Sequence, residues 1–384
     1  MKAKLLFMTR LVVGVLFIFS GLVKANDPLG LSYKMQEFFV ALHLPFLNPL
    51  SDALSILLIF IETTSGVAIL LGYQARLFAT VLLLFIAWFT FLTGYAWVTG
   101  KVQECGCFGD CIPISDAATF WKDVGLLVLI IFLFIHRKGI QPLWKPMSGP
   151  LTWFAGLSVI ALQAYVLQHL PIVDCLPYAV GKNIIQEMQP PPGSVPDQYA
   201  TELIYEKNGH EQRFTEDNFP WQDTSWHFVR RETRLVKKGN AVPLIQDFVL
   251  KNLQGEDVTQ EVLHDTLPVI LFIVNQPAQA HEGWERQMAN LQEYVIHHRV
   301  HLLGLTSSTH IPSFAAAHHL QFPFLIADVT VLKTMARTNP CLIWLEEGTI
   351  RGKWSYMDIP DTTKLARLLS ESLPLQPGVP AGPH

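Results

Sequence analysis

The sequence has few charged residues and few cysteines for its length. Of the 384 residues, 16% are charged and 50% are hydrophobic, whereas about 25% of the residues in an ordinary soluble domain are charged. The chain has no basic stripe of the kind that follows a nucleic-acid backbone, which excludes a nucleic-acid-binding protein. Five cysteines are too few for a small scaffold held together by disulfides.

The apolar residues are concentrated in one half of the chain. The mean hydropathy is only +0.29, which is low for a chain embedded in a membrane over its whole length. Residues 1–185 contain 12 basic and 9 acidic residues, and residues 186–384 contain 16 and 23. An apolar first half followed by a polar, acidic second half excludes a single globular enzyme and a disordered chain.

Five stretches in the first half approach the roughly 20 apolar residues that cross a bilayer. We therefore predict a membrane domain over residues 1–185 that contacts the lipid bilayer. The first stretch lacks a small-residue cleavage site, so we interpret it as an uncleaved helix and not as a signal peptide. The predicted spans are approximately 5–23, 53–72, 77–98, 117–135 and 151–170.

Basic residues in the short loops predict the orientation of these spans. Lys2 and Lys4 place the N-terminus in the cytoplasm, and two further basic loops, at Arg76 and at 137–145, fall on the same side. With an odd number of spans, everything after residue 170 lies outside. The prediction is a multi-pass protein of the bacterial cytoplasmic (inner) membrane with a periplasmic C-terminal half, and all five cysteines then face the outer compartment, where disulfides persist.

The second half begins with a stiff linker at 186–197, which contains the run Pro190-Pro191-Pro192. Residues 198–242 read as a small β-rich segment, because Asn208-Gly209 between two strand-like runs is a strong hairpin signal. From 243 to 384, short apolar runs alternate with helical patterns, which indicates an α/β domain. In this domain the pattern also suggests a hairpin around 247–255.

Three cysteines lie within seven residues in the loop between spans three and four, at positions 105, 107 and 111. One interpretation is a thiol-exchange site formed by Cys105, Cys107 and Cys111, with Cys175 as a relay, because strained or exposed disulfides exchange readily. A second is a structural disulfide that tethers the loop, with Cys175 as one candidate partner. A third is a metal site, which fits only loosely because the loop has no Cys-x2-Cys pair. We predict no metal site, and we expect the histidines of the second half to be solvated helix ends.

Glu62 lies near the middle of span two, where a carboxyl group is costly and usually marks a function or a buried partner. Either it belongs to a proton site or a quinone-adjacent site, or it forms a hydrogen bond that orients the bundle. Arg10 lies nearer the opposite side of span one and reaches Glu62 only if the helices tilt. The cofactor is otherwise unknown; a quinone is the one candidate.

These motifs resemble the DoxX/MauE family of small bacterial membrane proteins over about residues 5–136. The resemblance rests on Arg10-x3-Gly14-x5-Ser20-Gly21-x2-Lys24, on Glu62-x3-Gly66, and on Cys105-Gly106-Cys107-Phe108-Gly109, which is most similar to MauE. It implies a four-helix membrane bundle associated with redox or disulfide maturation outside the membrane. Here a fifth span and a large polar half are added.

The α/β domain at 243–384 resembles a thioredoxin-like domain of the TlpA or peroxiredoxin type. Such a fold places Cys-x2-Cys just after its first buried strand, but residues 275–281 contain no cysteine. Pro340 stands where the cis-proline of the fold belongs. Cys341 follows Pro340. Its side chain either faces the cysteine-free turn at 275–281 or is a small buried core residue.

The functional hypothesis is therefore a membrane protein that assists thiol–disulfide or electron transfer between the membrane and an extracytoplasmic client or redox partner. The alternative is a non-catalytic scaffold or assembly factor whose cysteines are structural.

Overall fold

The structure is a computed structural model that describes residues 2–102, 111, 114–215, 217–237, 239–308 and 310–372. It divides into two compact units. The first unit joins Met1–Gly181 to Val249–His384, and the second is Lys182–Phe248.

Five helices of the first unit are long and apolar enough to cross a membrane. This confirms the five predicted apolar helices, including the fourth, which contains Lys122 and Asp123. A short helix, α2, follows the first span, and a 3-10 turn at Pro45–Leu50 leads into the second span. The helices are α1 (Lys2–Asn26), α2 (Pro28–Ala41), α3 (Ser51–Leu71), α4 (Ala75–Thr99), α5 (Asp116–Ile135) and α6 (Lys145–His169).

These helices expose large apolar side chains on their outer surfaces. Leu84, Val128 and Phe154 are each more than 60% exposed. Such apolar faces are stable in the hydrocarbon of a bilayer. A helix can cross the bilayer because it satisfies its own backbone hydrogen bonds. The chain is therefore a multi-pass membrane protein in contact with the bilayer.

Helices α1 and α3 pack closely through glycines. A Cβ atom on Gly14 would lie 2.8 Å from the Cβ of Leu70 and 3.1 Å from the carbonyl oxygen of Gly66, and one on Gly66 would lie 3.0 Å from the backbone of Ile18. Small residues at such an interface allow two membrane helices to approach each other closely. The glycines of the sequence motif therefore form the contact between the first two spans.

The second unit contains α7 (Ile184–Glu187) and three antiparallel strands, β1 (Gln198–Lys207), β2 (His210–Thr215) and β3 (His227–Lys237), in the order β2-β1-β3. The turn between β1 and β2 has positive φ at Asn208 and Gly209. Positive φ at both turn residues matches the twist of a two-residue hairpin, which is the turn that an Asn-Gly pair favours.

The rest of the first unit is a five-stranded sheet with helices around it. Its elements are α8 (Thr259–Leu263), β4 (Val269–Ile273), α9 (Glu285–His297), β5 (His301–Thr306), α10 (Ile311–Ala317), β6 (Phe324–Ile326), α11 (Val329–Met335), β7 (Cys341–Glu346), β8 (Thr349–Ser355) and α12 (Thr362–Ser372).

The sheet order is β6-β5-β4-β7-β8, with β4 parallel to β5 and antiparallel to β7. A parallel βαβ unit followed by an antiparallel hairpin and a terminal helix is the thioredoxin-like topology. One face of the sheet, with Phe272 and Trp344, packs in a core with Met288 of α9 and Leu365 of α12. Cys341 and Ile343 pair with Ile273 and Leu271 and point to the other face.

One local prediction was wrong. The expected hairpin around 247–255 is only a tight turn with a single bridge between Lys251 and Asp257. The side chain of Asn252 accepts hydrogen bonds from the backbone N–H groups of Gln254 and Glu256, so this turn competes with a regular strand pair.

Gly14→Ala tests the contact between α1 and α3. We expect it to lower the free energy of unfolding by about 1–3 kcal/mol, because the added methyl group meets backbone atoms that cannot move aside. The measurement is thermal unfolding of the purified protein in detergent. Gly125→Ala, on α5, is the matched control, since a Cβ there meets nothing within 4 Å. Equal melting temperatures for the two variants would contradict the close contact.

Candidate functional site

A disulfide joins Cys111, in the loop between α4 and α5, to Cys175, in the segment after α6. The two Cα atoms are 4.9 Å apart, and neither cysteine is fully buried. The bond lies at the end of the bundle where α1 stops, which we call the disulfide end. Cys105 and Cys107 lie outside the described residues.

The segment that carries Cys175 is fixed to the end of α1. The side chain of Asn26 donates to the carbonyl oxygen of Val173 at 2.8 Å and accepts from its N–H at 3.0 Å. The next residue, Asp27, lines a small cavity together with both cysteines and Asp174. Two carboxylates therefore stand beside the disulfide.

Each of these carboxylates binds a cation of the thioredoxin-like part. Arg337, which follows α11, donates to Asp27 at 2.8 Å. Lys353, on β8, donates to Asp174 at 2.7 Å. The side chains of Arg337 and Lys353 are only 5% and 2% exposed, so both ion pairs are largely withdrawn from solvent and depend on their partners.

Further contacts hold the thioredoxin-like part against the disulfide end. Lys333 donates to Gln36 of α2 at 3.1 Å and lies 4.7 Å from the ring centre of Tyr33. His169, at the end of α6, lies 3.0 Å from Asp358. The N–H of Gly181 donates to the carbonyl oxygen of Ile350 at 2.7 Å. The thioredoxin-like part therefore contacts the disulfide end through hydrogen bonds and charged groups.

The turn that carries the thiols in a thioredoxin has a different role here. Residues Pro277–Gln279 form a 3-10 turn, and the N–H of His281 donates to the carbonyl oxygen of Asn339 at 2.8 Å. The side chain of Asn339 donates to the carbonyl oxygen of Gln276 at 2.8 Å. The Asn339–Pro340 bond is cis. The turn and the cis-proline loop are thus bonded to each other.

Cys341 is a core residue of this domain. It is fully buried and not in a disulfide. Burial raises the pKa of its thiol to about 11; nearby Lys353 opposes the shift and Asp174 adds to it. A buried thiol with a raised pKa is a poor nucleophile. Of the two interpretations of Cys341, the geometry favours the core residue.

Glu62 does not meet Arg10. Its carboxylate binds Lys24 of α1 at 2.8 and 2.9 Å, and both side chains are 4% exposed. Arg10 donates instead to the carbonyl oxygens of Leu70 at 2.9 Å and Gln141 at 3.0 Å. Arg10 thereby satisfies backbone groups at the C-terminus of α3, which helices otherwise leave unbonded.

A second ion pair faces the same internal cavity as Lys24 and Glu62. Lys122 donates to Asp123 at 2.6 Å, and Thr93 donates to Asp123 at 3.2 Å. All four ionisable groups line a cavity of about 60 Å³. A quinone at this cavity remains a prediction.

The sequence did not predict which side chains bond to Glu62 or which charged residues surround the disulfide. Lys24 was visible in the family motif, but its pairing with Glu62 depends on the packing of α1 on α3. Asp123 lies in the fourth predicted span and carries no motif. Asp27, Asp174, Arg337 and Lys353 carry no motif, because each is defined by contacts between segments far apart in the chain.

The fold and site define a class of protein: a multi-pass membrane protein with a helical bundle and a thioredoxin-like domain that lacks its own cysteine pair. Residues 2–136 match the family model described as Methylamine utilisation protein MauE. The match confirms the predicted resemblance of the N-terminal region to MauE, and the DoxX part of that expectation stays a prediction. Residues 199–238, which cover the three-stranded sheet, match a domain of unknown function, DUF8463.

The chain is also similar to a curated protein, Protein TlpB of Flavobacterium psychrophilum, with 28% identity over 133 residues. The match covers 33% of this chain and 35% of the relative, so the chain spans about a third of that protein's length.

Among solved structures, one similar chain is a putative protein disulfide isomerase from Bacteroides thetaiotaomicron, with a TM-score of 0.26, 15% identity and coverage of 33% of this chain and 83% of that one. Another is StoA from Bacillus subtilis, with a TM-score of 0.24, 19% identity and coverage of 32% and 94%.

Variants of the Lys24–Glu62 pair test the buried charges. We expect Glu62→Gln to lower the free energy of unfolding by about 3–5 kcal/mol, because it leaves a buried ammonium without its counter-charge. The double variant Lys24→Met/Glu62→Leu should be more stable than Glu62→Gln, since both charges are gone. The measurement is thermal unfolding in detergent. Lys34→Met, which breaks the half-exposed pair with Glu37, is the control and should have little effect.

The pKa of Cys341 gives a prediction about alkylation. At pH 8 the native protein should leave Cys341 unmodified by iodoacetamide, because its thiol is buried and stays protonated below its pKa of about 11. In denaturant the same thiol should react fully. Mass spectrometry of the Cys341 peptide measures both states. Rapid labelling of the native protein would show that Cys341 is accessible and reopen its role in exchange.

Proposed function

We propose that this protein assists thiol–disulfide or electron transfer between the bacterial cytoplasmic membrane and extracytoplasmic proteins. The observation that carries the proposal is the partly exposed Cys111–Cys175 disulfide, placed directly where the thioredoxin-like domain docks. Partly exposed disulfides are accessible to attack by a client thiolate, whereas structural disulfides are commonly shielded.

The orientation of the bundle supports an extracytoplasmic site. The basic residues Arg76, Arg137 and Lys138 flank helix ends at the end of the bundle opposite the disulfide, where α1 also begins. Basic loops stay in the cytoplasm. The disulfide end and the thioredoxin-like domain then face the periplasm, the compartment in which disulfides persist.

The exchange step is a pair of thiol–disulfide reactions. A client thiolate attacks one sulfur of Cys111–Cys175, a mixed disulfide forms, and the other cysteine leaves as a thiolate. The second client thiol then attacks the mixed disulfide, so the client gains a disulfide and the protein retains two thiols. In this proposal Cys105 and Cys107 start as a second disulfide, which exchanges with the two thiols of Cys111 and Cys175. The Cys111–Cys175 disulfide forms again, and Cys105 and Cys107 are left as two thiols.

A client or redox partner outside the membrane is the expected substrate. The thioredoxin-like domain positions that partner and contributes no cysteine at its own turn. The electron acceptor beyond Cys105 and Cys107 is either a soluble partner or a quinone.

A structural role for the disulfide is the second candidate function, because Cys111–Cys175 joins two segments that are 64 residues apart. In the chain-entropy model such a link contributes at most about 4 kcal/mol. The contribution is smaller when inserted spans already restrict the unfolded chain. In this scaffold interpretation, loss of the bond lowers stability and activity falls only in proportion.

Trapping of mixed disulfides tests the proposal. Cells expressing Cys111→Ser or Cys175→Ser are acid-quenched, alkylated and analysed on non-reducing gels and by mass spectrometry. We expect at least one single variant to accumulate mixed disulfides with other proteins, because the cysteine that resolves them is missing. The double variant should give none, and Cys341→Ser, which removes a buried thiol, is the matched control.

Cys107→Ala completes this test. It should leave Cys111–Cys175 intact but slow its return to the oxidised state after reduction, because no other side chain replaces a thiol in exchange. If no variant forms mixed disulfides, and loss of Cys111–Cys175 only lowers the melting temperature, the scaffold function replaces the exchange function.

A further inference from the structure

The charges around the disulfide form a balanced set of four. Among the residues that the structure describes, Asp27 and Asp174 line the cavity beside Cys111 and Cys175. Asp27 lies at the junction of α1 and α2, and Asp174 directly precedes Cys175. Both acids come from the membrane region, whereas their cations, Arg337 and Lys353, come from the thioredoxin-like domain.

Without these cations the disulfide would be flanked by two uncompensated negative charges. Negative neighbours disfavour the thiolate form of a cysteine, and positive neighbours favour it. The thiolate is the species that attacks in exchange. Among the described residues beside the disulfide, docking of the domain therefore adds two positive charges next to two negative ones.

The packing around these pairs is built to keep them in place. Asp27 also accepts a hydrogen bond from the N–H of Gly30 at 3.0 Å. A Cβ on Gly30 would lie 2.7 Å from the Asp27 carboxylate. Asp174 is fixed by the N–H of Leu176 at 3.1 Å, and Lys353 also lies 3.4 Å from the carbonyl oxygen of Tyr178. Neither carboxylate is a mobile surface group.

We propose that Arg337 and Lys353 are positioning residues for thiol exchange at Cys111–Cys175, and that they act by cancelling the charge of Asp27 and Asp174. The thioredoxin-like domain, which has no cysteine pair of its own, contributes these two cations to the chemistry of the membrane-bound cysteines. This inference rests on the proposed function and names the electrostatic part of the same site.

The experiment measures the pH dependence of alkylation in the full-length protein, reduced and held in nanodiscs. Iodoacetamide labelling is assigned to Cys111 and to Cys175 individually by tandem mass spectrometry, because Cys105, Cys107 and Cys111 lie between the same two lysines, Lys101 and Lys122. In Arg337→Gln and in Lys353→Gln we expect the pH of half-maximal labelling to move up by about one unit. At pH 7 labelling should then slow by up to about tenfold.

Charge-matched double variants separate electrostatics from folding. Asp27→Asn/Arg337→Gln and Asp174→Asn/Lys353→Gln remove a cation and its carboxylate together, so the labelling profile should return towards that of the unmodified protein. Arg351 lies on β8 with Lys353, and its half-exposed side chain pairs with Glu346 of β7. Arg351→Gln breaks this pair; it is the matched control and should leave the labelling profile unchanged.

Two results would overturn the inference. If the single variants keep the original profile, the cations do not act on the cysteines. If the double variants are shifted as much as the singles, the effect is a loss of docking and not of charge. Alkylation does not require a client, so a failure here leaves the trapping of mixed disulfides as an independent test of the proposed function.

Discussion

The buried ion pair between Lys24 and Glu62 is the interaction on which the membrane region depends. It joins the first span to the second inside the bilayer, where an unpaired charge is very costly. The glycine contacts between α1 and α3 continue this junction towards the other end of the helices, where Arg10 donates to the carbonyl oxygen of Leu70 in the last turn of α3. Because α1 is fixed along its length, Asn26 and Asp27 at its end have a defined place.

That placement connects the membrane region to the disulfide and to the domain beyond it. Asn26 holds Val173, Cys175 is bonded to Cys111, and the two flanking carboxylates bind Arg337 and Lys353. In the thioredoxin-like domain, hydrogen bonds between His281, Gln276 and Asn339 hold the turn at which a thioredoxin has its cysteine pair. What remains at the junction is a pair of cysteines supplied by one region and a pair of cations supplied by the other.

Much of this architecture was visible in the sequence, because hydrophobic length and strand alternation are local signals. The five spans, the Asn208-Gly209 hairpin and the place of Pro340 all follow from patterns within a few residues. The partners of Glu62, Arg10 and Asp174 did not, because each lies on another segment and a single sequence contains no record of contact. A local signal was also misleading at Asn252. The neighbouring residues suggested a hairpin around 247–255, but the hydrogen bonds of the Asn252 side chain form a tight turn there.

The positions of the two bonded cysteines also set an order for biogenesis. Both precede the thioredoxin-like domain in the chain, and Lys353 is made 178 residues after Cys175. At typical rates of synthesis this interval is about 10–35 s. The disulfide therefore has time to close while the distal domain is still being translated. Arg337 and Lys353 can therefore bind Asp27 and Asp174 only after both cysteines have been synthesised.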